Sequence, residues 1–150
     1  MKQEVLKSLK GQVCVITGGG GVLGASMARG LAAAGVITVI LDINKEAADE
    51  VASGLASEFG VKSRGFQANV LDRKSLEQAR ELIKEELGEI DILINGAGGN
   101  SPKATTGLEE ITEEKLEQLE KGFFGLELEG FQQVFDLNFT GTLLPTMVFT

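Results

Sequence analysis

Residue types that commonly carry catalysis are missing or scarce in this sequence of 150 residues. Histidine, tyrosine and tryptophan are absent, and cysteine occurs once. The lack of histidine excludes histidine-dependent acid–base catalysis and histidine metal sites within the chain. A single cysteine cannot form an internal disulfide, which fits a reducing compartment. Because Cys14 lies in an apolar run, we expect a buried strand residue rather than a reactive thiol.

Positive charge and long apolar runs are also lacking. The chain carries 14 Lys and Arg against 22 Asp and Glu, for a net charge of −8. An acidic surface repels phosphate backbones, so we expect no nucleic-acid partner. No apolar run approaches the roughly 20 residues of a membrane-spanning helix, and residues 1–10 contain no apolar signal core. We therefore expect no membrane partner and a cytoplasmic location.

Short apolar runs alternate with longer amphipathic segments through the first 95 residues. This pattern predicts an α/β fold with a Rossmann-type doubly wound parallel sheet, in the strand order 3-2-1-4. The predicted strands are residues 12–17, 36–42, 62–70 and 90–95. Helices are predicted between them, with side-chain caps at Asn44 and Asp72 and glycine stops at Gly35, Gly60 and Gly88.

The pattern becomes irregular after residue 95. The composition of residues 96–108 predicts a loop, and that of residues 112–121 predicts a charged helix. A last helix is predicted from Phe131 to the end of the chain. That helix ends in apolar residues without a cap, and strand four would be an uncovered apolar edge. We therefore expect residues 1–150 to be the N-terminal part of a longer single domain, truncated after the helix that follows strand four. The isolated chain is expected to aggregate or to pair with another chain.

A run of glycines joins the first predicted strand to the first helix. Gly19, Gly21 and Gly24 fit the pattern G-x-G-x-x-G, which at such a junction lets the backbone and the helix N-terminus approach a diphosphate. No Lys-Ser/Thr pair follows, which disfavours a nucleoside triphosphate loop; a flexible glycine turn is the simpler alternative. The predicted cofactor-binding residues here are Thr17, Gly18, Gly19, Gly20, Gly21, Val22, Leu23 and Gly24.

Asp42 ends the second predicted strand, and Ile43 follows it. A carboxylate at this place can accept hydrogen bonds from both hydroxyls of an adenosine ribose and would repel a 2′-phosphate. We therefore predict that Asp42 and Ile43 bind the cofactor, and that NAD is preferred to NADP. The alternative is an ordinary surface aspartate at a strand end.

These residues resemble the short-chain dehydrogenase/reductase family. Thr17, Gly18 and Gly24 match its motif T-G-x-x-x-G-x-G, although Val22 replaces the middle glycine. A second match, to the family's N-N-A-G with one asparagine replaced, comprises Asn95, Gly96, Ala97 and Gly98. Asn69 and Val70 resemble the family's Asp-Val pair, which contacts adenine. The resemblance implies that both groups bind the cofactor.

Residues 135–142 resemble the family helix that carries a catalytic asparagine, and Asn138 matches that residue. In the family it holds a helix distortion and a water that relays protons to the active-site lysine. The alternative is a polar residue on a helix flank. The family's other catalytic residues, a serine and Tyr-x-x-x-Lys, are implied to lie outside a chain that has no tyrosine.

Residues 95–106 and 135–146, together with a long acidic insertion at about 100–129, resemble the branch of D-mannonate oxidoreductases, also called fructuronate reductases. This implies an NAD(H)-dependent oxidoreductase that acts on a hydroxyl/ketone pair of a small molecule, such as a sugar acid. It also implies a homo-oligomer, a dimer or tetramer, in the full-length form. Asn100, Ser101 and Lys103 are candidate substrate contacts.

Two other readings stay open from the sequence. A non-catalytic dinucleotide-binding module would also need the glycine loop and Asp42. An S-adenosylmethionine methyltransferase shares those two features, but the motifs at Thr17, Asn95 and Asn138 argue against it.

Overall fold

The computed structural model describes residues 8–150, in which four parallel strands form a sheet of order β3-β2-β1-β4. The strands are β1 (Val13–Thr17), β2 (Ile37–Asp42), β3 (Ser63–Gln67) and β4 (Ile92–Asn95). The predicted α/β class and strand order are confirmed. The expectation that residues 1–10 lack a signal core falls mostly on residues 1–7, which lie outside the described residues.

Helices cover both faces of the sheet. On one face α1 (Val22–Ala33) and α2 (Lys45–Phe59) pack on Cys14, Ile16 and Ile40. On the other face α3 (Arg73–Leu87) and α5 (Gly141–Phe149) pack on Val15 and Val39. Successive residues of each strand point to opposite faces, so these nearly continuous apolar strands fill two cores at once.

The helix ends follow the predicted caps. The side-chain oxygen of Asn44 accepts a hydrogen bond from the Ala47 N–H, and that of Asp72 accepts from the N–H groups of Lys74 and Ser75. Gly60 ends α2 with φ of 66° in the left-handed region, which glycine adopts without strain. These short-range signals fix where each helix begins relative to the strand before it.

Two strands are shorter than the sequence pattern predicts. β3 ends at Gln67 rather than at residue 70, because its pairing partner β2 ends at Asp42. β4 begins at Ile92 rather than at residue 90, where it starts to pair with Cys14. Its three apolar residues are only half-buried. The helix and strand ends elsewhere in the first half agree with the prediction within a residue.

The charged segment predicted as a helix at residues 112–121 is instead a 3₁₀ segment, Glu113–Lys121, with a kink at Gln118. Helices in proteins depend largely on packing an apolar face. This segment buries little apolar surface, since the Leu116 side chain is 53% exposed. Short 3₁₀ segments also occur at Pro102–Ala104 and Phe123–Gly125.

The last helix is interrupted rather than continuous. It consists of α4 (Leu128–Phe135), a π turn (Asp136–Thr140) and α5, and so begins three residues before Phe131. The Gly141 N–H donates to the carbonyl of Asp136, five residues back. Such π turns are rare and occur often at functional sites. Within residues 8–150 we find no helix long and apolar enough to cross a membrane.

Cys14 is fully buried in β1, and this burial raises the pKa of its thiol to about 12. Because the thiolate is the reactive form, we expect the folded protein to resist alkylation at neutral pH. Mass spectrometry after iodoacetamide treatment should find little modification without denaturant and complete modification in urea. Rapid modification of the folded protein would contradict this packing.

Candidate functional site

An open cleft of about 430 Å³ lies at the C-terminal ends of the strands, beside the N-terminus of α1. β1 has β2 on one side and β4 on the other, so the chain order changes direction at this edge, where α/β proteins bind ligands. Twelve of the predicted residues line the cleft: Gly18, Gly21, Val22, Leu23, Gly24, Asp42, Ile43, Asn69, Val70, Gly96, Ala97 and Gly98. Leu41, Ala68 and Leu137 also line it, and the sequence motifs do not include them.

The glycine loop needs glycine at specific positions. Gly18 has φ of 63°, and a Cβ there would lie 2.8 Å from the Cα of Ala97. A Cβ on Gly24 would overlap the Gly18 carbonyl oxygen and lie 2.7 Å from the Cα of Gly19. A Cβ on Gly21, by contrast, meets nothing closer than 3.3 Å. The loop therefore depends on Gly18 and Gly24, and Gly21 is the least constrained of the three glycines in the G-x-G-x-x-G match.

Val22 occupies the position of the family's middle glycine. Its side chain is 85% exposed at the start of α1, so it is accommodated without crowding the loop. Gly19 and Gly20 are not among the residues lining the cleft. Their N–H groups instead bind β2, at the Leu41 carbonyl (3.2 Å) and at Oδ2 of Asp42 (3.0 Å). Gly19 and Gly20 therefore fix the shape of the loop, whereas Gly18 and residues 21–24 are the ones that line the cleft.

The end of β2 forms one rim of the cleft. Each oxygen of the half-buried Asp42 carboxylate accepts a backbone hydrogen bond, Oδ2 from Gly20 and Oδ1 from Asn44 (3.0 Å). The Ile43 side chain is 65% exposed, and its carbonyl accepts a hydrogen bond from Nε2 of Gln67 (3.1 Å). An acidic group thus stands beside an exposed apolar side chain at the cleft edge.

Asn69 and Val70 follow shortly after β3, which is the strand next to β2, and also line the cleft. The Asn69 side-chain oxygen accepts from the Leu71 N–H (2.9 Å), and the Asn69 N–H donates to the Ser75 hydroxyl (3.1 Å). Val70 is buried and contributes an apolar wall. The two residues are held by the turn that leads into α3.

Thr17 and Asn95 are not among the residues lining the cleft. The fully buried Thr17 hydroxyl accepts hydrogen bonds from the N–H groups of Gly96 and Ala97, both at 3.1 Å. Nδ2 of Asn95 donates to the Thr146 hydroxyl on α5 (3.0 Å). Their positions indicate that they hold the strand ends and the segment at Gly96 in place, and so affect the cleft indirectly.

Asn138 lies in the π turn and binds the loop that follows β4. Its Nδ2 donates to the carbonyls of Gly99 (2.7 Å) and Val134 (2.8 Å), and its Oδ1 accepts from the Gly99 N–H (3.1 Å). The paired bonds with Gly99 fix both the amide orientation and the loop. A Cβ on Gly98 would lie 2.6 Å from Oδ1 of Asn138, which leaves room only for glycine.

The start of the insertion is fastened to α4. The Lys103 ammonium forms ion pairs with Glu127 (3.0 Å) and Glu129 (2.9 Å), and its hydrogen bonds to Glu129 and Glu127 raise the Lys103 pKa. The Lys103 carbonyl accepts from the Glu127 N–H (2.9 Å). Buried Ser101 donates to the side chain of Gln133 (3.3 Å).

These interactions show that the three candidate substrate-binding residues differ in how free they are to bind a ligand. The charge of Lys103 is already paired with two carboxylates, and Ser101 is buried against α4, whereas Asn100 is exposed. No group of three or more potential metal ligands converges anywhere in the part of the chain that the structure describes. The residues that line the cleft contribute backbone amides, the Asp42 carboxylate, the Asn69 side-chain amide and apolar walls.

The sequence pattern of the short chain dehydrogenase family matches residues 12–150. An uncharacterised oxidoreductase of Haemophilus influenzae is 42% identical over 142 residues, covering 95% of this chain and 49% of that protein. An uncharacterised oxidoreductase of Bacillus subtilis is 43% identical over 143 residues, covering 95% of this chain and 50% of that protein. The chain thus spans about half the length of the curated relatives it matches.

A solved structure is similar over the same region. It is a candidate D-mannonate oxidoreductase from Haemophilus influenza with bound NAD, and it matches with a TM-score of 0.88 and 41% identity. The match covers 97% of this chain and 52% of that chain. Together with the family pattern over residues 12–150, this shows that the chain belongs to the short-chain dehydrogenase family.

Proposed function

We propose that this chain binds NAD(H) as the cofactor-binding part of an oxidoreductase that acts on a hydroxyl/ketone pair. The observation that carries the proposal is the loop at the start of α1, where no Cβ fits on Gly18 or Gly24, and which lines one open cleft together with Asp42. A backbone cradle at a helix N-terminus suits a diphosphate, and a carboxylate at the second strand end suits a ribose.

Each wall of the cleft suits one part of the dinucleotide. The glycine loop and the N-terminus of α1 present N–H groups to the diphosphate, and the Asp42 carboxylate accepts from the ribose hydroxyls. Ile43 and Val70 offer apolar contact to the adenine, and the Asn69 amide oxygen has a second lone pair for its amino group. The glycine-rich segment at Gly96 to Gly98 borders the remaining part of the cleft. When bound, the nicotinamide supplies the hydride chemistry.

We propose that Asn138 is the residue of this chain that takes part in proton transfer. Its three hydrogen bonds stabilise the π turn and the loop at Gly99, beside the cleft residues Gly98 and Leu137. We propose that it holds this geometry for a proton relay that ends on the family's lysine. By the family resemblance, the acid–base tyrosine belongs to residues outside this chain, which contains no tyrosine.

For the substrate we propose a sugar acid such as mannonate or fructuronate. The support is the likeness to the candidate D-mannonate oxidoreductase and the position of the proposed insertion at about 100–129, which begins two residues after the cleft residue Gly98. Because Lys103 is paired with Glu127 and Glu129, we do not assign it to the substrate carboxylate. Exposed Asn100 is the better candidate to donate to a sugar hydroxyl.

We propose a cytoplasmic homo-oligomer in the full-length form, on the strength of the family resemblance. Family membership argues against the methyltransferase alternative. A non-catalytic dinucleotide-binding module is the second candidate, because the glycine loop and Asp42 would serve it equally well, and it would bind NADH but show no turnover.

The nucleotide preference tests the proposal. We expect the protein to bind NADH at least about tenfold more tightly than NADPH, a difference of about 1.4 kcal/mol, because Asp42 would repel the 2′-phosphate. Titration followed by nucleotide fluorescence measures both dissociation constants. Replacing the carboxylate in Asp42→Asn should narrow the difference between the two nucleotides. Equal or tighter binding of NADPH by the unchanged protein would refute the proposed role of Asp42.

A further inference from the structure

We propose that Asp42 is also a positioning residue, which holds the diphosphate loop in its binding shape before any nucleotide arrives. The inference rests on the proposed NAD(H) binding, because the loop in question is the one assigned to the diphosphate. It goes further in linking two parts of the site: the group that selects the ribose also shapes the loop that binds the phosphates.

The geometry around the carboxylate carries the proposal. Oδ2 accepts the N–H of Gly20, which lies 22 residues earlier in the chain, at 3.0 Å. The position of a Cβ on Gly20 would lie only 3.0 Å from Oδ2 and 3.0 Å from the Cβ of Ala47. The loop therefore lies directly against the carboxylate and the first turn of α2. Hydrogen bonds to an ionised acceptor are about twice as strong as neutral ones.

The loop has few other attachments to β2. The Gly19 N–H donates to the Leu41 carbonyl (3.2 Å), and the next N–H in the chain, that of Gly20, donates to Asp42. If the Asp42 carboxylate were lost, only the hydrogen bond from the Gly19 N–H to the Leu41 carbonyl would remain of these two bonds between the loop and β2. We infer that the loop would then sample shapes in which its N–H groups no longer converge.

The same carboxylate can serve both purposes. An ionised carboxylate has about four lone-pair sites, and backbone N–H groups of Gly20 and Asn44 occupy two of them. The other two are enough for the ribose hydroxyls. A substitution at Asp42 that removes repulsion of a 2′-phosphate therefore also loosens the diphosphate loop, so it would weaken NADH binding and offset part of the gain in NADPH affinity.

A nucleotide without the ribose hydroxyls separates the two roles. The probe is the form of NADH whose adenosine ribose lacks both the 2′ and the 3′ hydroxyl. If Asp42 only binds these hydroxyls, Asp42→Ala binds the probe as tightly as the unchanged protein does. We expect instead that Asp42→Ala lowers the affinity for the probe about tenfold, the effect of losing one charge-assisted hydrogen bond. Asp42→Asn retains an oxygen that can accept from Gly20 and should restore part of this affinity.

Hydrogen exchange in the nucleotide-free protein gives an independent measurement. The Gly20 N–H should exchange faster in Asp42→Ala than in the unchanged protein. The control is Gln67→Ala, which removes the bond to the Ile43 carbonyl at the same turn and leaves the bond between Asp42 and Gly20 in place. This control should leave Gly20 exchange unchanged.

The outcomes distinguish this inference from the proposed function. Unchanged or tighter probe binding by Asp42→Ala, with unchanged Gly20 exchange, overturns the positioning role and leaves NAD(H) binding intact. If the unchanged protein binds neither NADH nor the probe, the proposed function fails, and Gly20 exchange alone still decides whether Asp42 holds the loop. Melting temperatures of both Asp42 variants establish that folded protein is being compared.

Discussion

Gly24→Ala is expected to lower the affinity for NADH by about a hundredfold or more, equivalent to about 2.7 kcal/mol. The added Cβ would overlap the Gly18 carbonyl oxygen and approach the Cα of Gly19. Both neighbours are backbone, so α1 and the loop must separate and the cradle must open. Overpacking of this kind also costs about 1–3 kcal/mol of folding stability. Nucleotide titration and thermal unfolding measure the two effects.

Gly30 provides a matched control on the same helix. It is exposed, and a Cβ there would meet nothing within 4 Å. Gly30→Ala should therefore raise the stability by about 0.5–1 kcal/mol, because alanine is the better helix former, and should leave NADH affinity unchanged. Equal NADH affinity in Gly24→Ala and Gly30→Ala would show that the contact between Gly24 and Gly18 does not shape the nucleotide site.

Asn138→Ala is expected to lower turnover by about a hundredfold in an enzyme that carries this chain, while NADH affinity changes little. The variant loses the bonds to Gly99 and Val134, so the π turn and the loop beside Gly98 are no longer held together. Loss of a proton relay falls in the lower part of the range of about 10²–10⁴ for acid–base assistance. Turnover per folded molecule and nucleotide titration, made on one sample, measure the two quantities.

Gln132→Ala is the control for this prediction, because Gln132 is an exposed amide in the preceding helix α4 and does not line the cleft. It should leave turnover per folded molecule and NADH affinity unchanged. If Asn138 merely stabilises the helix, Asn138→Ala lowers the melting temperature and activity falls only as folded protein is lost. Unchanged turnover per folded molecule would therefore end the relay assignment.

Local signals made much of the fold predictable. Asn44, Asp72 and Gly60 act within one helical turn, and each ends or begins a helix where the sequence indicates. The strand ends were less predictable because pairing sets them: β3 stops where β2 stops. The segment Glu113–Lys121 has helix-forming residues, but its lack of buried contact leaves it in a 3₁₀ form, which no local signal predicts.

The candidate site was likewise predictable where short motifs mark it and unpredictable where contacts distant in sequence decide a residue's role. Motif positions bring Asp42, Asn69 and Gly98 to one cleft, because the ends of parallel strands meet at one edge. Leu41, Ala68 and Leu137 were missed, although each immediately precedes a predicted site residue. Motifs also do not distinguish a residue that faces a ligand from one that holds the loop. Thr17 and Asn95 are examples, since their partners lie far away in sequence.

The backbone hydrogen bond and the ion pair that join Lys103 to Glu127 affect how this fold can change over evolutionary time. The Lys103 carbonyl accepts from the Glu127 N–H, so the excursion between them leaves and rejoins the domain at nearly the same point. Lengthening a flexible loop whose ends are already joined costs little, about 0.6 kcal/mol for each doubling. Segments of very different size can therefore be exchanged there while the cleft keeps its shape, which makes Lys103 and Glu127 natural boundaries for grafting new loops.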